Sequence, residues 1–118
     1  MHVSVVYNTY MGHRRDVTIE LKTKYDPIIR ARENGRCYLC NAPGRDVHEI
    51  LSRGRFSTYE LDVCISPRNM VLLCRKHHEM CQGVNDWMAR LFRALKWEHG
   101  YDYHGSPFQW YYEQEAYG

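Results

Sequence analysis

The stretch CYLC at residues 37–40 and the stretch NMVLLCRKHH at residues 69–78 decide the fold that we predict for this chain. Each stretch carries a pair of metal-binding side chains with two residues between them, first a C-x2-C knuckle and then a C-x2-H knuckle. The members of the two pairs are Cys37, Cys40, Cys74 and His77. Three cysteines and one histidine at such spacings form the usual ligand set of a closed, tetrahedral structural zinc site. The sequence therefore predicts one structural Zn2+ held by these four residues.

Four further polar residues lie on the same framework and are not needed by the zinc. They are the candidate catalytic residues His48, Glu49, Asn69 and His78. Two alternatives stay open, because a lone histidine in a strand is more often a satisfied core residue, and because His78 is an alternative zinc ligand to His77.

The length and the cysteine usage restrict the class of protein. A chain of 118 residues predicts a single domain, 1–118, with a modest core that benefits from a metal crosslink. An odd number of cysteines, five, fits a metal site better than a disulfide framework, and it predicts that Cys64 and Cys81 are reduced thiols in or near the core. Without an apolar run of 18 residues or a signal-like N-terminus, the sequence favours a cytoplasmic protein with no membrane partner.

The charge distribution is compatible with a nucleic-acid partner. Between Arg30 and Lys76 there are nine Lys or Arg against five Asp or Glu, and after Lys96 the only charged side chains besides histidine are acidic. A basic centre with an acidic tail fits a surface that faces nucleic acid. An ordinary solvated surface is the alternative, and charge alone favours it.

Local patterns divide the chain into an N-terminal arm (1–25), a zinc-bearing core (26–82) and a C-terminal helix with an aromatic tail (83–118). The arm alternates apolar and polar residues around 3–7 and 17–21, which predicts two loosely paired strands or an irregular arm without chemistry. Asp26 and Pro27 are typical of a helix start, so a short helix is expected over 27–34.

The core pattern predicts a strand at 46–51, an irregular loop at 56–67, a strand at 70–73 and a helix at about 75–82. A second helix is expected at about 86–99, ended by Gly100. The tail is too aromatic to be purely solvated, so part of it should pack or bind a partner.

This order of motifs resembles the HNH family of ββα-metal endonucleases. The family pattern is C-x2-C, then a D-H or H-H pair followed by Ile, then Asn, then L-C-x2-C-H. The matching segments here are Cys37 to Cys40, His48-Glu49-Ile50, Asn69, and Leu73 to His78, so the resemblance covers 42 residues. It implies an α+β fold, with a ββα-metal (His-Me finger) core stapled by zinc and flanked by helices.

Two positions depart from the family pattern. His77 stands where a cysteine is usual, which zinc tolerates. Glu49 stands where a histidine is usual; anchoring on Ile50 puts His48 at the metal-binding position and Glu49 at the general-base position. Intrinsic chemistry argues the other way, because histidine is the better base near neutral pH and carboxylate the better ligand for Mg2+. Both assignments stay open.

The resemblance implies hydrolysis of DNA phosphodiester bonds with Mg2+ or Mn2+. His78, with His48 or Glu49, would hold the ion, and the remaining member of the pair would take the proton of the attacking water. Asn69 would orient the loop between the strands through backbone hydrogen bonds. The candidates for phosphate contacts are Arg45, Arg53, Arg55 and Arg68.

Small stand-alone proteins of this kind are frequent in phages, sometimes beside packaging genes. The resemblance thus implies a protein of the host cytoplasm, with phage packaging proteins as candidate partners besides DNA. Two other functions compete with the nuclease: a zinc-stapled module that binds nucleic acid without cutting it, and a protein-interaction adaptor that uses the aromatic tail.

Overall fold

The computed structural model describes the backbone of residues 2–114 and the side chains of residues 12–114. Two short antiparallel strands lie among several helices, which is an α+β arrangement and confirms the predicted class at that level. The elements in chain order are α1 (His2–Arg32), β1 (Asp46–Glu49), α2 (Leu61–Cys64), β2 (Met70–Leu73), α3 (Arg75–Cys81), α4 (Asn85–His99) and α5 (Gln109–Glu113). Single 3-10 turns occupy Arg53–Arg55, Thr58–Glu60 and Pro67–Asn69.

The prediction of strands or an irregular arm in residues 1–25 is wrong, because α1 runs through this region. The physical reason is that apolar residues recur at helical spacing on one face of α1, whereas the prediction followed the short alternation of apolar and polar residues. Leu21, Tyr25 and Ile29 are spaced by four residues and pack against the core, whereas Ile19 is 56% exposed. Spacing by four places side chains on one face of a helix, so packing of that face decides the conformation.

The helix predicted at 27–34 is also part of α1, and Pro27 lies inside it instead of beginning it. A proline within a helix removes one backbone hydrogen bond. The packing around it compensates, since Ile29 is fully buried and the end of α1 is bonded to β2.

The outer edge of β2 is covered by Arg32, the last residue of α1, and by Glu33 and Tyr38, which follow it. Glu33 accepts a hydrogen bond from the backbone N–H of Leu72 at 3.2 Å, and Arg32 donates to the carbonyl of Met70 at 2.6 Å. The N–H of Tyr38 donates to the carbonyl of Leu72 at 2.8 Å. These contacts satisfy strand groups that would otherwise be buried without partners.

The sheet pairs Asp46 with Leu73 and His48 with Val71, so its register puts the predicted site residues opposite a fully buried strand. The strand predicted at 70–73 is confirmed with these bounds, and the helix predicted at 75–82 is confirmed to within one residue. The predicted strand 46–51 is shorter than expected, ending at Glu49. The predicted irregular loop 56–67 contains α2 and short 3-10 turns.

The C-terminal helix is confirmed, and Gly100 caps it in the left-handed conformation with φ of 74°. Part of the aromatic tail packs against it, as expected: Tyr103 and Phe108 are buried and contact Phe92. Tyr117 lies outside the described residues.

Cys64 and Cys81 are buried free thiols, as predicted. Within residues 2–114 no helix carries an apolar stretch long enough to span a bilayer.

Candidate metal centre and adjoining cleft

The four predicted zinc ligands converge in space. The ligand atoms of Cys37, Cys40, Cys74 and His77 all lie within 4.8 Å of one another. Tetrahedral zinc, with Zn–S about 2.3 Å and Zn–N about 2.0 Å, holds its ligand atoms roughly 3.5–3.8 Å apart. The distance from Cys40 Sγ to Cys74 Sγ is 3.8 Å and that from Cys37 Sγ to His77 Nδ1 is 3.7 Å. The group is therefore close enough, and of the right chemistry, to bind a metal ion such as zinc.

Two tight backbone structures position these ligands. The first knuckle is a turn in which the N–H of Cys37 donates to Ala42 at 2.7 Å and Asn41 takes a positive φ of 64°. In the second knuckle Cys74 is the residue before α3, and the N–H of His78 donates to its carbonyl at 2.9 Å. Each pair of ligands thus depends on local chain geometry, which explains why spacing alone could predict it.

The environment of Cys37 favours its thiolate. Burial raises the pKa of this thiol, but hydrogen bonds from the backbone N–H groups of Cys74, Leu39 and Cys40 outweigh that effect and lower the pKa to about 6. A thiolate is the form of cysteine that binds metal ions.

An open cleft of about 680 Å3 lies beside the metal centre. It is lined by α1, β1, the turn after β1, His78 of α3, the two residues after α3 and Met88 of α4. The predicted catalytic residues His48, Glu49 and His78 all line it, and the four zinc ligands do not. The metal centre and the cleft are therefore separate sites.

His77 and His78 are adjacent in sequence and serve different sites. His77 Nδ1 lies 3.2 Å from Cys74 Sγ, whereas His78 Nδ1 lies 3.1 Å from Asp46 Oδ2. The ring of His78 also contacts the ring of His48, with centroids 4.9 Å apart. Successive residues of a helix diverge by about 100°. His78 therefore points away from the zinc ligands and toward the strand of His48.

Asp46 is a site residue that the sequence prediction missed. Its carboxylate bonds to His78, and Arg75 Nε lies 3.7 Å from the same oxygen. The hydrogen bond with His78 is the largest cause of a lowered pKa at Asp46, and the charge of Arg75 adds to it. A signal was available, because Asp46 and His48 are two residues apart on β1 and so share one face.

His48 is buried at the back of the cleft. Burial lowers the pKa of its imidazole to about 4, and the charge of His78 contributes in the same direction. His48 is therefore neutral near pH 7, the form that binds a metal ion or accepts a proton.

Glu49 is paired with a cation of the turn after β1. Its Oε1 lies 3.1 Å from Arg53 Nε and is shielded from solvent, without the alignment of a hydrogen bond. In the described part of the chain, the group of three cysteines and His77 is the one set of at least three Cys, His, Asp or Glu side chains that converge as metal ligands. His48, Glu49 and His78 do not form a second such set.

Asn69 is fully buried and bonds only to groups of the segment between the strands. Its Nδ2 donates to the carbonyls of Leu51 at 3.0 Å and Cys64 at 2.8 Å, and its Oδ1 accepts from the N–H of Leu51 at 2.8 Å. These are the backbone hydrogen bonds expected for a residue that orients this loop.

The four arginines predicted to contact phosphates divide into two pairs. Arg53 and Arg55 line the cleft, and Arg55 is held by Tyr111 of the tail at 2.6 Å. Arg45 and Arg68 do not line it; Arg68 donates to the carbonyl of Asp102 at 3.0 Å. No contact with nucleic acid is tested for any of them, so their role stays a prediction.

Other cleft residues come from α1, namely Lys22, Asp26 and Arg30. The sequence prediction assigned no chemistry to residues 1–25, and for Lys22 the structure places a cation in the cleft. Their spacing by four residues is the signal that could have grouped them, once the region is known to be helical.

We compared the chain with protein-family models, with curated proteins and with solved structures, and none of the three comparisons found a match.

Proposed function

We propose that this chain is an HNH-type endonuclease that hydrolyses DNA phosphodiester bonds with a divalent metal ion. The observation that carries the proposal is the divergence of His77 and His78. One faces a group of three cysteines suited to structural zinc, and the other meets His48 and Asp46 in an open cleft. A module stapled by zinc alone does not require this second cluster.

The arrangement of elements supports a ββα-metal core. β1 carries His48 and Glu49, β2 pairs with it antiparallel, and α3 follows directly with His78 in its first turn. Asn69 ties the intervening segment to the sheet. The order of these residues along the two strands and the helix is the order that the HNH pattern implies.

The side chains of the cleft fit metal-dependent hydrolysis of a phosphodiester. The cleft is lined by both carboxylates and cations. His78, with His48 or Glu49, would hold Mg2+ or Mn2+, and two protein ligands suffice because Mg2+ keeps several waters and binds substrate phosphate. Such an ion supplies charge stabilisation at the phosphate and at the leaving oxygen.

Asp46 orients the imidazole ring of His78. A carboxylate can only accept, so His78 Nδ1 is the donor in their hydrogen bond and the lone pair is on Nε2. An imidazole oriented in this way is ready to bind a cation. The member of the His48 and Glu49 pair that does not hold the ion would take the proton of the attacking water, while Arg53 and Arg55 would contact the phosphate.

A nucleic-acid-binding module without catalysis is the second candidate. The observation that favours it is the ion pair between Glu49 and Arg53. Glu49 stands where the family pattern usually has a histidine, and this pair engages its carboxylate. Within the described residues, the cleft also lacks a preformed set of three metal ligands.

The test uses supercoiled plasmid with Mg2+, with Mn2+ and with EDTA, and zinc content is measured after each incubation. His78→Ala should keep zinc and thermal stability but lose cleavage, whereas His77→Ala should lose zinc. His104→Ala, which removes an exposed histidine of the tail, is the matched control and should change neither. His48→Ala and Glu49→Ala should each remove most of the activity.

Three results would contradict the proposal in different ways. Binding without nicking, indifferent to EDTA, would favour the module. Unimpaired cleavage in the Ala variants of His48, Glu49 and His78 would exclude this cluster from the mechanism. Loss of zinc in His78→Ala, with zinc and activity retained in His77→Ala, would show that the two histidines are assigned the wrong way round.

A further inference from the structure

We propose that α1 is a phosphate-binding wall of the cleft and holds the backbone of the nucleic-acid substrate through Lys22 and Arg30. The identity of the substrate rests on the proposed function. The geometry of the wall does not, because it follows from the contacts of α1 with the strands and from the residues that line the cleft.

Two arginines hold α1 along the length of β1. Near one end, Arg14 donates to the carbonyls of Arg53 at 2.9 Å and Phe56 at 3.0 Å, both in the segment after β1. Near the other end, Arg30 donates to the carbonyl of Arg45, the residue before β1, at 2.9 Å. Arg14 and Arg30 are sixteen positions apart, which corresponds to about 24 Å along the helix axis. The helix therefore runs past the whole cleft, antiparallel to β1.

Lys22, Asp26 and Arg30 share one face of this helix because they are spaced by four residues. All three line the cleft. Lys22 and Arg30 are eight residues apart, or about 12 Å along the helix axis. This separation allows the two cations to contact different phosphates of one substrate.

The cations of α1 have distinct uses. Among the described side chains of the helix they form three pairs: Arg14 and Arg32, which donate several hydrogen bonds to backbone carbonyls; Arg15 and Lys24, which are exposed and outside the cleft; and Lys22 and Arg30, which line it. The first pair stabilises the fold. The second pair supplies controls on the same helix.

The contacts of Lys22 and Arg30 leave them able to bind an anion. Lys22 Nζ lies 3.9 Å from Asp26 Oδ1, and this oxygen has no hydrogen-bond partner within the described part of the chain. A loose pair of this kind contributes little to stability. Arg30 uses one Nη2 donor on Arg45, and an arginine has five N–H donors in all. A phosphate can therefore replace Asp26 at Lys22 and join Arg45 at Arg30.

The test compares two matched pairs of full-length variants: Lys22→Gln with Lys24→Gln, and Arg30→Gln with Arg15→Gln. Each substitution removes one positive charge from α1, and glutamine has nearly the helix propensity of lysine and arginine. Circular dichroism and zinc content verify folding. Binding of a fluorescent DNA duplex, and of its single strand, is measured by anisotropy without divalent ions at several salt concentrations.

We expect Lys22→Gln and Arg30→Gln each to weaken binding at least about tenfold, as for the loss of a charged hydrogen bond. The slope of log affinity against log salt should fall in magnitude by about 0.7–0.9 per lost phosphate contact. Lys24→Gln and Arg15→Gln should change affinity by less than about twofold and leave the slope unchanged.

The outcomes separate this inference from the proposed function. Equal effects within each matched pair, in a protein that binds and cuts DNA, would overturn the role of α1 and leave the nuclease intact. The expected difference within each pair, in a protein that binds but never cuts, would support the wall and overturn the nuclease. A wild-type protein that binds neither form of DNA would overturn both.

Discussion

Asn69 offers the most direct test of how the strand–loop–strand segment is held. It is fully buried, and its side chain joins Leu51 to Cys64 by three hydrogen bonds with their backbone groups. We consider Asn69→Ala, which removes all three. At about 1 kcal/mol each the lost bonds amount to about 3 kcal/mol, and the buried N–H of Leu51, left without an acceptor, adds about 1–2 kcal/mol. The expected loss in the free energy of unfolding is thus about 4–5 kcal/mol.

A loss of that size is a large part of the roughly 5–15 kcal/mol that stabilises a typical domain. It is measured by urea unfolding in buffer with saturating zinc, so that metal loss does not add a second transition. Asn85→Ala removes an exposed asparagine at the start of α4 and is the control, with an expected change within about 0.5 kcal/mol.

Asn69→Asp sharpens the test because it keeps the shape of the side chain. One oxygen can still accept from Leu51 N–H, but the other replaces the Nδ2 donor and faces the carbonyls of Leu51 and Cys64. At pH 7 this variant should therefore be at least as unstable as Asn69→Ala. A loss below about 1 kcal/mol in Asn69→Ala, or wild-type stability in Asn69→Asp, would refute the claim that these bonds hold the loop.

Two more substitutions probe the metal centre and the sheet. Cys74→Ser should lose the metal and unfold more readily, because structural zinc binding is coupled to folding. His77→Cys should keep one zinc per chain, because zinc accepts four cysteines. Elemental analysis measures the zinc content and thermal melts measure the stability, and a stable, zinc-free wild type would contradict the predicted zinc site. Gly44→Ala would place a Cβ against the fully buried side chain of Leu72 and should reduce the free energy of unfolding by about 1–3 kcal/mol. Leu72→Ala should cost less in the Gly44→Ala background than alone, and additive costs by urea unfolding would show that no clash exists.

The sequence predicted well what depends on local spacing. The knuckle ligands converge because the two members of each pair have only two residues between them in a tight turn, and the bounds of β2 follow from a short apolar run that ends at Cys74. The divergence of His77 and His78 follows from helical geometry alone.

Features that depend on distant packing could not be predicted in the same way. α1 is a helix because Leu21, Tyr25 and Ile29 face a core built from later residues, and the alternation at 17–21 mimicked a strand. Asp26 and Pro27 predicted a helix start, because a proline inside a helix removes a backbone hydrogen bond. A helix that continues through proline needs stabilising contacts with distant residues, which local sequence does not reveal. The cleft wall of Lys22 and Arg30 was missed for the same reason.

The metal centre and the cleft are separate sites, but one element connects them. Cys74 precedes α3, His77 lies in its first turn with a ligand atom in the metal group, and His78 follows with its ring against His48. A metal bound to Cys74 and His77 would fix the rotation of α3 about its axis, and that rotation sets where His78 points. Disorganisation of the cleft on zinc removal is thus expected although no zinc ligand lines it. Loss of cleavage together with zinc would therefore reflect the positioning of His78, and it would not by itself make the zinc a participant in the chemistry.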